Sequence, residues 1–353
     1  MRRLLALVAL LLALVALLLA IAGCGEATPV REPDLVVRDR ADEGPRPVPE
    51  TTPERGEGLR LAAARLAVVS HGQASDPFWA IVKKGVDDAA RQTGVAVSYR
   101  APDTYDVGRM RRLIDEAISA RLDGLIVSLP DVRALRAPIR RAARAGIPVV
   151  SINSGSDRFR TLGILAHVGQ PEWRAGFESG RRMAAAGVRN GLCVNQEEGN
   201  AGLDQRCRGF EAGMRRGGGR AAVLGVDLQD PDQAQQRIGQ VVKQSAVDGV
   251  LTLGAAAALP ALAALDAGGL EDRVRLATFD LSPEVLEAVQ ARRMMFAVDQ
   301  QPYLQGYLPV VLLAERSRHM LFPARGELIP TGPDFVTPRN AEQVLELTRR
   351  GFR

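Results

Sequence analysis

The sequence predicts an α/β protein of two similar lobes, each a parallel sheet covered on both faces by helices. Three observations predict it. Short β-branched runs alternate with stretches of 10–18 residues that carry helical spacing. The runs are apolar throughout, as strands buried on both faces are. The order of elements also repeats. "DGLIVSLPDVRALRAPIRRAARAGIPVVSIN", from Asp123, is echoed by "DGVLTLGAAAALPALAALDAGGLEDRVRLATFD", from Asp248. Each reads Asp-Gly, strand, Ala/Leu-rich helix, strand, and then a polar residue, Asn153 in one and Asp280 in the other.

The strand-like runs follow in order: "LAVVS" (66–70), "VAVSY" (95–99), "GLIVSL" (124–129), "IPVVSI" (147–152), "LCVNQ" (192–196), "AVLGVD" (222–227), "GVLTLG" (249–254), "RLATFD" (275–280) and "MFAVDQ" (295–300). Between them, "VGRMRRLIDEAISARL" (107–122) sets Met110, Leu113, Ile114, Ala117 and Ile118 on one helical stripe. The Arg-rich "IRRAAR" (139–144) reads as the wet face of a helix. The first lobe is expected to begin near residue 62 and the second near 170.

The N-terminal segment has another character. Arg2 and Arg3 precede an uncharged apolar run over 4–22, the arrangement of a secretory signal, and also long enough to span a bilayer uncleaved. Its ending, "IAGC", resembles the lipobox of bacterial lipoproteins, which implies cleavage that leaves Cys24 as a lipidated first residue. Residues 25–61 are rich in Pro, Glu, Arg and Gly with no apolar period, and are expected to form a flexible linker. A tail of about 35 residues would reach roughly 30–35 Å. Either reading of the leader puts the folded part outside the cytoplasm, tethered to a membrane.

Composition bounds the function. The 353 residues suffice for two domains, and 46% apolar with 25% charged residues is globular. Aromatics make up only 4%, so the core must come from Ala, Val, Leu and Ile. The formal charge of +5 falls to +3 without residues 1–23, and no compact Lys/Arg run with interleaved aromatics points to nucleic acid. Of three cysteines, Cys193 and Cys207 remain after Cys24, an even pair in an oxidising compartment and a possible disulfide. No zinc-ligand spacing is present. There is no HExxH, GxSxG or P-loop pattern, and the Gly cluster at 217–219 precedes a strand, the wrong order for a dinucleotide fingerprint. The sequence therefore predicts no enzyme and no cofactor or metal.

In open α/β sheets ligands sit beyond the carboxyl ends of the strands. The residues found there are polar and rich in carboxylates: His71 to Trp79, Asp131, Asn153, "EEGNAGLD" (197–204), Asp227, Gly254, Asp280 and Gln300. In "HGQASDPFWAIVKKG" (71–85) an ordinary turn has no use for Phe78 and Trp79, but both suit the apolar face of a sugar ring beside Asp76.

"SDPFW", "DGLIVS", "AGIPVVSIN", "GNAGLDQRCRGF", "DGVLTLG", "LATFDLSPE" and "AVDQQPYLQGY" together resemble the type I sugar-binding proteins of bacterial ABC importers, over about residues 64–345. The resemblance implies two Rossmann-like lobes joined by a three-crossing hinge, the periplasmic-binding-protein type I fold. The first lobe would take 62–169 and 301–329, the second 170–300 and 330–353. Crossings would fall near Gly169–Gln170, Gln300–Gln301 and Ile329–Thr331. By the same resemblance, Asp76, Asn153, Asp280 and Gln300 bond sugar hydroxyls, Phe78 and Trp79 line the ring, and Asn200 and Asp204 join the site. Ser154 and Asp204 stand where ribose binders place arginines, and Gly254 replaces an Asn. With two guanidinium forks missing and Arg206 expected to brace its helix, the site should repel anions. Neutral sugars or polyols fit, as does an amino-sugar or other cationic polyol. The implied partners are an ABC permease and a small neutral sugar or polyol, the protein acting as a monomer. The alternative is a sensory binding protein that presents its ligand to a membrane receptor.

Overall fold

The computed structural model describes residues 63–72 and 76–353. The leader with Cys24 and the expected linker over 25–61 lie outside the described residues. No helix among the described residues is long and apolar enough to cross a membrane.

Two six-stranded sheets organise the chain. The first contains β1 (Arg65–Val69), β2 (Ala96–Arg100), β3 (Gly124–Ser128), β4 (Val149–Ile152), β5 (Ala166–Gly169) and β11 (Glu327–Pro330) in the order β11-β5-β4-β3-β1-β2, every pair parallel. The second contains β6 (Asn190–Asn195), β7 (Arg220–Gly225), β8 (Gly249–Thr252), β9 (Arg275–Phe279), β10 (Ala297–Asp299) and β12 (Asp334–Val336) in the order β12-β10-β9-β8-β6-β7. Only the β10–β12 pair is antiparallel. The central strands β1, β3 and β4, like β6, β8 and β9, are buried almost end to end, as their unbroken apolar runs require. Each sheet carries a hydrophobic cluster on either face, four in all among the described residues.

The helices are α1 (Pro77–Thr93), α2 (Val107–Ser119), α3 (Val132–Arg144), α4 (Glu172–Ala185), α5 (Ala201–Arg216), α6 (Pro231–Gln244), α7 (Ala255–Gly268), α8 (Pro283–Gln290), α9 (Pro302–His319) and α10 (Ala341–Arg349). Most start on a side-chain cap that meets an orphan backbone N–H; Asp76, Asp106, Asp131, Asn200, Asp230 and Ser282 serve α1, α2, α3, α5, α6 and α8. Two helix pairs approach with almost no spacer. On α4 and α5, a Cβ added at Gly176 would lie 2.0 Å from the Arg206 carbonyl oxygen, and one at Gly209 would lie 2.0 Å from that of Trp173. On α1 and α9 the glycines are Gly85 and Gly306. Cys193 of β6 and Cys207 of α5 form a disulfide that pins α5 to its sheet. Closing a loop of about 15 residues contributes on the order of 3 kcal/mol in the chain-entropy account.

The strands β5, β11 and β12 carry no signal of the kind that marks the other nine. β5, "AHVG", is four residues long with a histidine inside it, and β11 and β12 are short edge strands separated by a cis Gly332–Pro333 bond.

The chain passes between the sheets three times: from β5 into α4, from β10 into α9, and from β11 into β12. At these passages the Gln305 amide donates to the Gln300 carbonyl (3.0 Å) and to the Thr331 hydroxyl (3.2 Å), and Thr331 N–H donates to the Gly169 carbonyl (3.2 Å).

Candidate functional site

The carboxyl ends of both sheets face one cavity of about 540 Å³, counted with its open mouth. The first sheet supplies His71, Asp76, Phe78 and Trp79 after β1, and Asn153 after β4. The second supplies Gln196 and Glu197 after β6, Leu253 and Gly254 after β8, Asp280 after β9 and Gln300 after β10. Arg206 enters from α5.

The local conformation explains why these side chains point inward. Asn153 and Asp280 end their strands at φ 59° and φ 65°, left-handed conformations that Asn and Asp tolerate better than other non-glycine residues. The two polar ends of the internal echo thus make the same turn in the two lobes. Asp76 caps α1 by accepting from the Phe78 N–H (2.9 Å), which sets Phe78 and Trp79 in the first turn beneath it. The two rings meet edge to face at 5.1 Å, and Trp79 meets His71 at 4.9 Å. Both are buried, so they belong to the core and to the cavity wall at once.

Arg206 organises the opposite wall. Its Nε and Nη2 donate to Glu172 (2.6 and 3.1 Å), its Nη1 to the Leu253 carbonyl (3.0 Å) and its Nη2 also to Gln300 Oε1 (3.2 Å). The guanidinium lies over the Phe279 ring at 4.7 Å. Burial opposes its charge, but Glu172 outweighs that and holds the guanidinium protonated. Gln300, oriented by Arg206 and by Asn153 Nδ2 (3.4 Å), donates its own amide to Asp280 Oδ1.

The carboxyls facing the cavity are harder to ionise than ordinary ones. Loss of water pushes Asp280 up to about 7, with the charges of Asp76 and Glu172 adding to the rise and Arg206 and Gln300 opposing it. Desolvation also raises Asp76, which feels Glu197, and raises Glu197 itself. Desolvation first, and then Arg206, lowers His71 to about 3, so its imidazole is neutral. The 3.6 Å approach of His71 Nε2 to Glu197 is therefore no ion pair.

Beside the cavity the sheets are clasped together. Asn200 Nδ2 donates to His71 Nε2 (3.2 Å) and to Glu197 (2.6 Å), Ser154 Oγ donates to Asn200 Oδ1 (2.8 Å), and Ala201 N–H donates to the Pro130 carbonyl (2.8 Å). His71 Nδ1 lies 2.8 Å from Ser128 Oγ.

The wall thus offers hydrogen-bonding side chains with aromatic rings at one side. A family model described as a periplasmic binding protein domain matches residues 66–318. The chain belongs to this family. Its relatives place it among the type I periplasmic sugar-binding proteins. It is similar to the xylose/arabinose-binding protein XylF of Sulfolobus acidocaldarius, with 25% identity over 309 residues, covering 78% of this chain and 71% of that one. It is similar to the ribose import binding protein RbsB of Bacillus subtilis, with 24% identity over 251 residues, 66% of this chain and 75% of that one. Among solved structures it resembles a carbohydrate transporter from Acidothermus cellulolyticus 11B in complex with myo-inositol, with TM-score 0.77 and 34% identity, covering 82% of this chain and all of that one. Periplasmic binding proteins of this type are extracytoplasmic solute binders and not enzymes.

Of the eight residues expected to touch ligand, the structure brings six to the cavity wall of this periplasmic binding protein: Asp76, Phe78, Trp79, Asn153, Asp280 and Gln300. Asn200 and Asp204 are not on it. Asn200 is fully buried as the cap of α5, with both ends of its amide engaged by the clasp. Asp204, in the next turn, accepts from Asn195 Nδ2 (3.1 Å). Arg206 departs from expectation in the other direction, since it lines the cavity as well as bracing α4 and α5. Gln196 and Glu197 were visible only as part of "NQEEGN" after a strand, and nothing in the sequence pairs Glu172 with Arg206. A Cβ at Gly254 would lie 2.7 Å from Gln196 Nε2, so Gln196 fills the space that an Asn at 254 would need.

Proposed function

We propose that this protein is the extracytoplasmic binding component of an ABC importer, and that it holds a small sugar or polyol in the cavity between its two sheets. One observation carries the reading. Hydrogen-bonding side chains and two aromatic rings from the strand ends of both sheets line a single cavity, with one wall on each sheet. A ligand there gains its full set of contacts only when both walls reach it, so binding selects the closed arrangement. The lobes divide as 62–169 with 301–329 and 170–300 with 330–353, and the three passages act as the hinge. The closed form then docks on the permease. Cys24 carries the lipid that keeps the protein at the membrane. The names of the relatives support this ligand class: XylF is named for xylose and arabinose, RbsB for ribose, and the Acidothermus protein was solved with myo-inositol.

Titration calorimetry with pentoses, hexoses and inositols tests the reading. Binding to the wild type by one of them, with loss of roughly tenfold or more in Asp280→Asn, is the expected result. Binding that is untouched by Asp280→Asn and by Trp79→Phe would contradict it.

A further inference from the structure

The charges around the cavity do not balance. Arg206 is the only lysine or arginine on its wall among the described residues, and its guanidinium is engaged by Glu172. Asp76, Glu197 and Asp280 remain. The hydrogen bonds they accept from described residues come from neutral groups: the Phe78 backbone for Asp76, Asn200 for Glu197 and Gln300 for Asp280. Glu197 Oε1 and Asp280 Oδ2 take no hydrogen bond from any described residue. The nearby His71 imidazole is neutral and engaged by Ser128 and Asn200. Gln196 adds one more acceptor, because its Oε1 is buried without a partner. The side chains of the wall thus carry carboxyl acceptors in excess and no cation that is not already paired, while Ala255 and Ala256 at the start of α7 add backbone N–H donors. A site of this kind takes up protons or takes a cation. Among the described residues no group of three or more His, Cys, Asp or Glu is placed to hold a metal ion.

We propose that the preferred ligand is a polyhydroxylated ring bearing an ammonium group, an amino-sugar or aminocyclitol, with its cation against Asp76, Glu197 and Asp280 and its ring carbons against Phe78 and Trp79. This rests on the reading of the cavity as a polyol site. An ammonium brings three donors and no acceptor, which matches a wall with acceptors to spare. A hydroxyl in the same place donates one hydrogen bond and brings no counter-charge to the carboxylates. Each charge-assisted bond is also roughly twice as strong as its neutral counterpart.

Matched pairs test this by titration calorimetry at neutral pH: D-glucosamine with D-glucose, D-galactosamine with D-galactose, and scyllo-inosamine with scyllo-inositol. The expected result is that in at least one pair the amine binds about tenfold tighter or better, and that Asp76→Asn and Glu197→Gln each erase most of that preference. Asn is itself a good helix cap, so Asp76→Asn retains the start of α1. Glu197→Gln caps nothing and serves as the second variant. If the neutral members bind and the amines bind no better, the ammonium inference is overturned while the polyol reading stands. If no member of any pair binds, the polyol reading falls and this inference falls with it.

Discussion

Asp280 shows how one residue couples the cavity to pH. Its carboxyl titrates near 7 in the folded protein against an ordinary 3.8. Between those values the folded state keeps a proton that the unfolded chain releases, so stability falls as pH rises through that window. In the absence of ligand, the melting temperature of the wild type should therefore decline from about pH 4 to pH 7 by more than that of Asp280→Asn. Parallel melting curves across that range would contradict the placement of this carboxyl. Arg206 carries a different risk. Arg206→Met leaves Glu172, which is fully buried, without its counter-charge, and should cost about 3–5 kcal/mol in chemical unfolding. The residue scale also shows what the sequence could tell. Asp280 and Asn153 were legible because a polar residue directly after a buried strand lies at the carboxyl end of the sheet, where ligands sit in open α/β folds. The pairing of Arg206 with Glu172 was not, because the partners lie 34 residues apart and meet only where α4 crosses α5. Asn200 and Asp204 stand beside the cavity wall, since a residue at a helix start can serve a cap and a ligand equally well on paper.

At the scale of elements, the site depends on helix pairs that touch through glycine. Gly209 of α5 faces the Trp173 carbonyl of α4, and the same two helices carry Arg206 and Glu172. Gly209→Ala should push α4 and α5 apart, cost about 1–3 kcal/mol and weaken ligand binding from outside the cavity wall. Thermal melting together with calorimetry checks both effects, and unchanged affinity would show that the spacing of the helices does not govern the wall. Seven of the nine legible strands show because two-sided burial demands apolar, β-branched runs, and the edge strands β2 and β7 show because their own runs, "VAVSY" and "AVLGVD", stay apolar. The short strands β5, β11 and β12 were not, since their residues, "AHVG", "ELIP" and "DFV", form no such run. Their positions became apparent only with the two sheets assembled.

At the scale of the whole molecule, the internal echo in the sequence corresponds to two sheets with the same sequence of neighbours, each ending in one short strand supplied from the C-terminal part of the chain. That duplication sets two rows of strand ends face to face, and the three passages between the sheets leave the lobes connected at one side of the cavity. The central claim is that a small polyhydroxylated ligand bridges those rows. The most direct measurement is a thermal-shift screen of the purified protein against sugars, polyols, inositols and their amino derivatives, repeated on the double variant Asp76→Asn/Asp280→Asn. A ligand that binds only the native state raises the melting temperature by mass action. The account predicts a clear rise with at least one such compound in the wild type, and its loss in the double variant, in which one carboxylate on each wall is changed. A rise of equal size in both proteins, or none with any member of the panel, would contradict it.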